Sequence, residues 1–230
     1  MAVYEARVSN LVCGVWSVAP EEASWFKASG APSVLLAPNG VTVVPGESEW
    51  RASGKPLSVA FLGNMRYAPN VEATRFLLRE VWPFVSVPGA KLLIAGSGGT
   101  PDLAREVDGT PGARWVGYVP DTGLFLRQAA AFVAPLLAGG GTKLKVLEAL
   151  AAGRPVVTTS VGAQGIPLEH ERNALLADNP EEIARQLSRL LVDPELARRL
   201  GEGGHQMAAE NFSWAQIRAN VANDAARHMT

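Results

Sequence analysis

The sequence has one cysteine, Cys13, only three histidines, and no marked excess of charge of either sign. A single thiol can close no intramolecular disulfide and cannot supply a cysteine-clustered metal site, which suits a reducing cytoplasm. The histidines (His170, His205 and His228) are scattered without a partner at ligand spacing, so no metal is expected. Formal net charge is −1, from 21 Lys and Arg against 22 Asp and Glu, which excludes a general attraction to nucleic acid through bulk charge. Any anion site must therefore be local. Long hydrophobic runs are also missing. None approaches the roughly 18 residues a spanning helix requires, and Glu5 and Arg7 interrupt the N-terminus, so neither a transmembrane segment nor a secretion signal is expected.

What is present is ordinary globular material: 230 residues, 47% hydrophobic, with 23 Gly and 16 Pro. That length accommodates one large domain, or one domain and a fragment, but not two complete nucleotide-binding folds. Short apolar runs recur at Leu11 to Val15, Val34 to Ala37, Leu57 to Leu62, Lys91 to Ala95, Arg114 to Val116, Ala131 to Ala134, Pro155 to Thr159 and Ala174 to Ala177. They read as buried strands. Helical patterns lie between them at Pro20 to Ala28, Val71 to Val81, Thr122 to Ala130 and Lys143 to Ala152. This alternation predicts an α/β fold, a doubly wound parallel sheet. Spacings at Ile183, Leu187 and Leu190, at Leu196 and Leu200, and at Trp214, Ile217 and Val221 predict three C-terminal helices.

Ligands of such sheets sit beyond the carboxyl ends of the strands, and here several strands run into glycine-bearing turns. These are Gly63-Asn64, Gly96-Ser97-Gly98-Gly99, Gly117, and Gly139-Gly140-Gly141. The last is the most informative. Three glycines let backbone approach a ligand, and Thr142 is a suitable N-cap for the next helix, whose free amides and positive dipole end suit a phosphate. Lys145 then sits near a helix start, where a cation opposes the dipole unless an anion is close. With Glu148 three residues on, it can equally be one half of an exposed ion pair. A P-loop is excluded, because Thr142-Lys143-Leu144 offers neither its glycine nor its magnesium-binding hydroxyl. A dinucleotide fingerprint from Gly96 fails at Pro101, where the third glycine belongs. Gly63 and Gly96 can also be read as plain strand-end turns, and Trp82, Trp115 and Trp214 as packing residues rather than base platforms.

An ordered series of segments carries a family resemblance: Pro38-Asn39-Gly40-Val41, Phe61-Leu62-Gly63, Leu93-Ile94-Ala95-Gly96, Val116-Gly117-Tyr118-Val119, the block from Leu147-Glu148-Ala149 to Arg154-Pro155-Val156, and Phe212-Ser213-Trp214. Together they resemble the C-terminal, donor-binding domain of the retaining GT-B glycosyltransferases of family GT4 (group 1), over roughly residues 34–214. The resemblance implies a Rossmann-like domain with C-terminal helices at 46–230, and reads 1–45 as the tail of a truncated N-terminal acceptor domain with its linker. It implies a nucleotide diphosphate sugar as donor substrate, no cofactor, and transfer with retention in cell-surface polysaccharide or glycoconjugate synthesis. The partner is the missing N-terminal domain or a complementary subunit. The enzyme would be cytoplasmic, peripheral to the inner face of the membrane through that half, and this chain alone inactive.

By the same resemblance, Glu148 holds the ribose hydroxyls. Gly63, Asn64, Arg66, Gly96, Tyr118, Val119, Gly140, Gly141, Thr142 and Lys143 complete the donor-binding set. Two departures stand out. The family's second glutamate, eight residues before Glu148, is Gly140 here, and its basic pair after the first strand is replaced by Asn64-Met65-Arg66-Tyr67-Ala68-Pro69-Asn70. The catalytic cation is therefore assigned to Lys145, with Lys143 or Arg66 assisting. The departures also leave an alternative, a non-catalytic nucleotide-binding or interaction module with a degenerate GT-B fold.

Overall fold

A computed structural model describes residues 2–43 and 57–228. The expected linker from Pro45 to Pro56, and with it the expected boundary at residues 45 and 46, lies essentially outside the described residues. The chain opens with α1 (Ala2–Ser9), β1 (Val15–Ser17), α2 (Pro20–Ala28) and β2 (Val34–Leu36). The two strands pair in parallel, with Val15 opposite Val34. The first expected strand is thus displaced, since β1 begins where the apolar run from Leu11 ends. Leu11 is 84% exposed, so that run is not a core segment.

The larger unit alternates strand and helix: β3 (Ser58–Leu62), α3 (Ala68–Phe76), β4 (Lys91–Ala95), α4 (Pro101–Asp108), β5 (Ala113–Gly117), α5 (Thr122–Gln128), β6 (Ala131–Ala134), α6 (Leu144–Ala151), β7 (Val156–Thr158), the single turn α7 (Ser160–Ala163) and β8 (Leu175–Leu176). Three helices follow: α8 (Pro180–Val192), α9 (Pro194–Phe212) and α10 (Trp214–His228). The α3 helix continues through a π-turn at Leu77–Val81 and a 3-10 turn at Trp82–Phe84. Helix α4, absent from the sequence reading, carries recognisable start signals. Thr100 caps it by accepting from the Leu103 amide at 3.2 Å, and Pro101 stands in its first turn.

All six strands of the main sheet run parallel, in the order β5-β4-β3-β6-β7-β8. Side chains alternate between two cores. Val59, Phe61, Leu92, Ile94, Ala131 and Val133 face α3, α4 and α8, whereas Ala60, Leu62, Phe132 and Ala134 face α5 and α6. The central strands are covered on both faces and so read as nearly continuous apolar runs, whereas the edge strand β5 is only half-buried and carries Arg114. Each fully buried Phe, Leu, Ile or Val contributes about 1.5–3 kcal/mol relative to an exposed one.

The connection reverses between β3 and β6. In a sheet of this order that reversal opens a crevice beyond the strand ends, and the loops after β3 and β6 therefore line it. At the far end of the chain, α10 returns to the first unit. Val41 bridges Ser213, the Val41 amide donates to the Phe212 carbonyl at 2.7 Å, and the Trp214 ring lies against Gly40.

Candidate functional site

The loops after β3 and β4 meet first. The Gly63 amide donates to the Ala95 carbonyl at 3.0 Å, and Met65 to Ser97 at 2.7 Å. A Cβ built on Gly96 would lie 1.7 Å from the Gly63 carbonyl oxygen, and Gly96 has φ +146, so only glycine fits that crossing. The plain-turn reading of Gly63 also gives way. A Cβ there would stand 2.9 Å from the Asn70 amide group and 3.1 Å from Lys145 Nζ.

Lys145 thus reaches across the end of β3. Its helix, α6, packs on one face of the sheet, while Asn70, whose Oδ1 accepts from its ammonium, belongs to α3 on the other. The ammonium also sits over the Phe61 ring, 5.0 Å from the centroid. Burial, reinforced by repulsion from Lys143 and opposed by Glu148, pushes its pKa down to about 8. The ion-pair reading does not hold: Lys145 pairs with a neutral amide.

The glycine loop after β6 differs from expectation at one point. Helix α6 starts at Leu144, its N-cap is Lys143, and no side chain caps it. Thr142 instead turns outward, its hydroxyl donating to the Val18 carbonyl at 3.4 Å. Lys143 is buried, and its ammonium donates to the Gly139 carbonyl at 2.9 Å and the Gly141 carbonyl at 2.6 Å, holding the loop closed on itself. Burial lowers its pKa, with Glu21 of α2 pulling the other way.

Two cavities flank the first turn of α6 and share Leu144. The first, about 320 Å³, is lined by Tyr67, Pro69, Asn70, Leu136, Ala138 to Gly140, and Thr142 to Lys145. Gly140 faces open space within it. The second, about 530 Å³, is lined by Gly40 to Thr42, Asp121 to Gly123, Arg127, Leu144, Glu148, Ala151, Ala152 and Trp214. Lys145 and Glu148 therefore address adjoining cavities rather than one common face; Glu148 lies with Leu144 and Ala151, while Leu147 is buried in the core. Burial pushes the Glu148 carboxyl up, with Lys145 opposing, and among the described residues no side-chain hydrogen bond engages it. Chemically, the pair offers a cation to a phosphate in one chamber and an acceptor to hydroxyls in the next.

Of the other expected residues, Asn64 accepts the Arg66 amide at 3.0 Å through Oδ1 and the Asn70 Nδ2 through its carbonyl at 2.8 Å. Arg66 lies along Gly98 and lines neither cavity. Tyr118 is exposed and Val119 packs on the core beside α5; neither lines a cavity. Trp82 and Trp115 pack as expected, but Trp214 helps wall the second cavity. Sequence reasoning missed Asn70, whose only local signal is a polar residue in the first turn of a helix whose neighbours are core. A larger opening of about 620 Å³ between α2, α7 and α10 has Glu21 as its one charged wall residue among the described residues and presents no cation to an anion.

Among the described residues no helix is long and apolar enough to cross a membrane.

Comparisons with known proteins bear on the family and the fold. Residues 56–193 match the family described as Glycosyl transferases group 1. The uncharacterized glycosyltransferase MJ1607 of Methanocaldococcus jannaschii is 30% identical over 172 residues, which cover 72% of this chain and 43% of that protein. Among solved structures, Anabaena HepE in complex with UDP and glucose superimposes with a TM-score of 0.79 at 15% identity, over 98% of this chain and 66% of its own. The pneumococcal O-GlcNAc transferase GtfA in complex with UDP and GlcNAc gives 0.78 at 16%, over 98% and 47%. The structural likeness speaks to the fold, a Rossmann-like GT-B domain. This chain spans less than half the length of MJ1607. With the family match extending over more than half of its residues, the chain belongs to the glycosyl transferases of group 1.

Proposed function

We propose that this chain supplies the nucleotide-sugar-binding half of a glycosyltransferase that moves a sugar from a nucleotide diphosphate donor to an acceptor with retention of configuration. The observation that carries the reading is Lys145, a half-buried ammonium held at the strand-order reversal by a neutral amide and so free to meet an anion. The diphosphate occupies the chamber between Lys145 and the glycine loop, and the ribose reaches Glu148 in the adjoining one. As the bond from the sugar's anomeric carbon to the diphosphate oxygen breaks, negative charge grows on the leaving group. A preorganised cation and the uncapped amides of α6 are aimed at that charge.

Lys145 and the loop carry this charge without a metal, so EDTA should leave nucleotide binding unchanged. Retention and a role in cell-surface polysaccharide or glycoconjugate synthesis are supported by the segment resemblance. The acceptor wall comes from a further domain or a complementary subunit, in keeping with the share of MJ1607 that this chain spans.

Ligand-dependent thermal shift against UDP, GDP, ADP and their sugars tests the reading, with UDP the first choice given the complexes of HepE and GtfA. Selective stabilisation that Lys145→Ala removes is expected. Stabilisation untouched by that substitution would move the site elsewhere. If binding is selective but reconstitution with a matching acceptor domain yields no transfer, the chain is a binding module instead.

A further inference from the structure

We infer that Asn70 is the positioning residue for Lys145, an uncharged acceptor that fixes the ammonium over the end of β3 while leaving its full charge to an anionic ligand. The inference rests on the donor-site reading above and names how that site is set.

Asn70 is buried, with 5% of its surface exposed, in the first turn of α3. Both ends of its amide are committed. Nδ2 donates to the Asn64 carbonyl at 2.8 Å, so Oδ1 must be the end presented to Lys145, which offers only donors. The two constraints agree on one orientation. Its backbone is fixed as well, because its amide donates to the Tyr67 carbonyl at 3.0 Å and its carbonyl accepts the Thr74 hydroxyl at 2.8 Å. Gly63 leaves the space in which the two side chains meet.

The choice of residue type has chemical content. A carboxylate at position 70 would also hold the ammonium, but would neutralise it and compete with a diphosphate. An apolar side chain would leave a desolvated cation without an acceptor. Asparagine does neither. The charged groups facing Lys145 are Lys143, which repels it, and Glu148, which attracts it, both from α6; Tyr67 lines the same cavity, and β3 contributes only the Phe61 ring.

The test is calorimetric titration of the full chain with UDP, GDP and ADP, and with the matching nucleosides, across the pH range that brackets the lysine's value of about 8. In the unsubstituted chain, diphosphate affinity should fall as pH rises through that value, and Lys145→Ala should be weak and flat. Asn70→Asp should bind the diphosphate about tenfold more weakly at neutral pH, with its fall moved upward by about one unit or more, because a carboxylate favours the charged lysine. Asn70→Ala should move the fall downward, having lost an acceptor for the charged form. Nucleoside affinity should change little in either. A merely structural role would not shift the two midpoints in opposite directions. Circular dichroism and thermal melts confirm folding. Should one variant not fold, Asn70→Ser replaces it and is expected to move the midpoint downward. Diphosphate binding that depends on Lys145 but keeps one midpoint in all Asn70 variants overturns the inference alone. Absence of any diphosphate binding by the unsubstituted chain overturns the donor-site reading and this inference with it.

Discussion

Two regions of this molecule treat charge in opposite ways. In the closing helices, charges answer one another at the surface: Arg198 meets Glu195 and Glu202, and Arg185 meets Glu182 at 2.9 Å. Their helix starts are capped in the ordinary manner, α8 by Asn179 on the Glu182 amide at 2.9 Å and α9 by Asp193 on the Leu196 amide at 2.9 Å. Around α6 nothing is matched so simply. Its N-terminus has no side-chain cap, Lys145 is held by an amide, Lys143 by carbonyls, and Glu148 takes no side-chain hydrogen bond among the described residues. The first region spends its polar groups on its own fold. The second keeps them available, at some cost in desolvation, which is what a ligand site requires.

The contrast can be broken most severely at its geometric base. Gly96→Ala forces a side chain into the Gly63 carbonyl at a positive φ, and should cost about 3 kcal/mol or more of stability in urea unfolding and remove the site with it. Retention of full stability would mean that the β3 and β4 turns do not cross as described. Lys145→Ala sharpens the comparison. It should cost about 3 kcal/mol of nucleoside diphosphate affinity, the scale of hydrogen bonds to a charged group, while changing stability by no more than about 1 kcal/mol, because removal of a desolvated cation offsets the unpaired Asn70 acceptor. A Lys145→Ala chain that melts lower and binds normally would place Lys145 with the structural charges.

Glu148→Ala should weaken nucleoside and nucleoside diphosphate alike by about 2 kcal/mol, since its proposed partner is the ribose both share. A loss confined to the diphosphate would reassign it. In the closing helices the pattern inverts. Asp193→Ala should lower stability by about 1 kcal/mol through loss of the α9 cap and leave nucleotide affinity unchanged. Smallest of all, Arg198→Ala, on an exposed pair, should alter neither melting temperature nor binding measurably.

Much of the fold was legible in the sequence. Strands β3, β4, β6 and β7 fall where the apolar runs lie because strands covered on both faces are mostly apolar, and glycine turns mark the carboxyl ends of β3, β4 and β5. The segment Leu11 to Val15 misled for the converse reason: it is apolar yet exposed. Helix α4 escaped because only Leu103 and Val107 of its eight residues are buried, too few to set a period. Asn70 escaped because its meaning is a contact 75 residues away, made through a turn whose path no local pattern records. The displaced cap at Thr142 has the same origin. Its hydroxyl is taken by Val18, far off in sequence, so a suitable residue was present but already engaged.

The clasp between Gly40-Val41 and Phe212 to Trp214 carries a consequence for the order of folding. It joins two segments that flank the whole six-stranded sheet in sequence, so the loop it closes spans about three-quarters of the chain, and such contacts offset their entropy cost only after the intervening structure has formed. The sheet from β3 to β8 is expected to assemble first, with the seating of α10 on the first unit coming late. In refolding, the part of the tryptophan fluorescence change that Trp214→Phe removes should therefore lag the far-ultraviolet signal of the sheet and helices. The wall that Trp214 gives to the second cavity would then be the last part of the nucleotide site to be completed and, in reverse, the first to be lost.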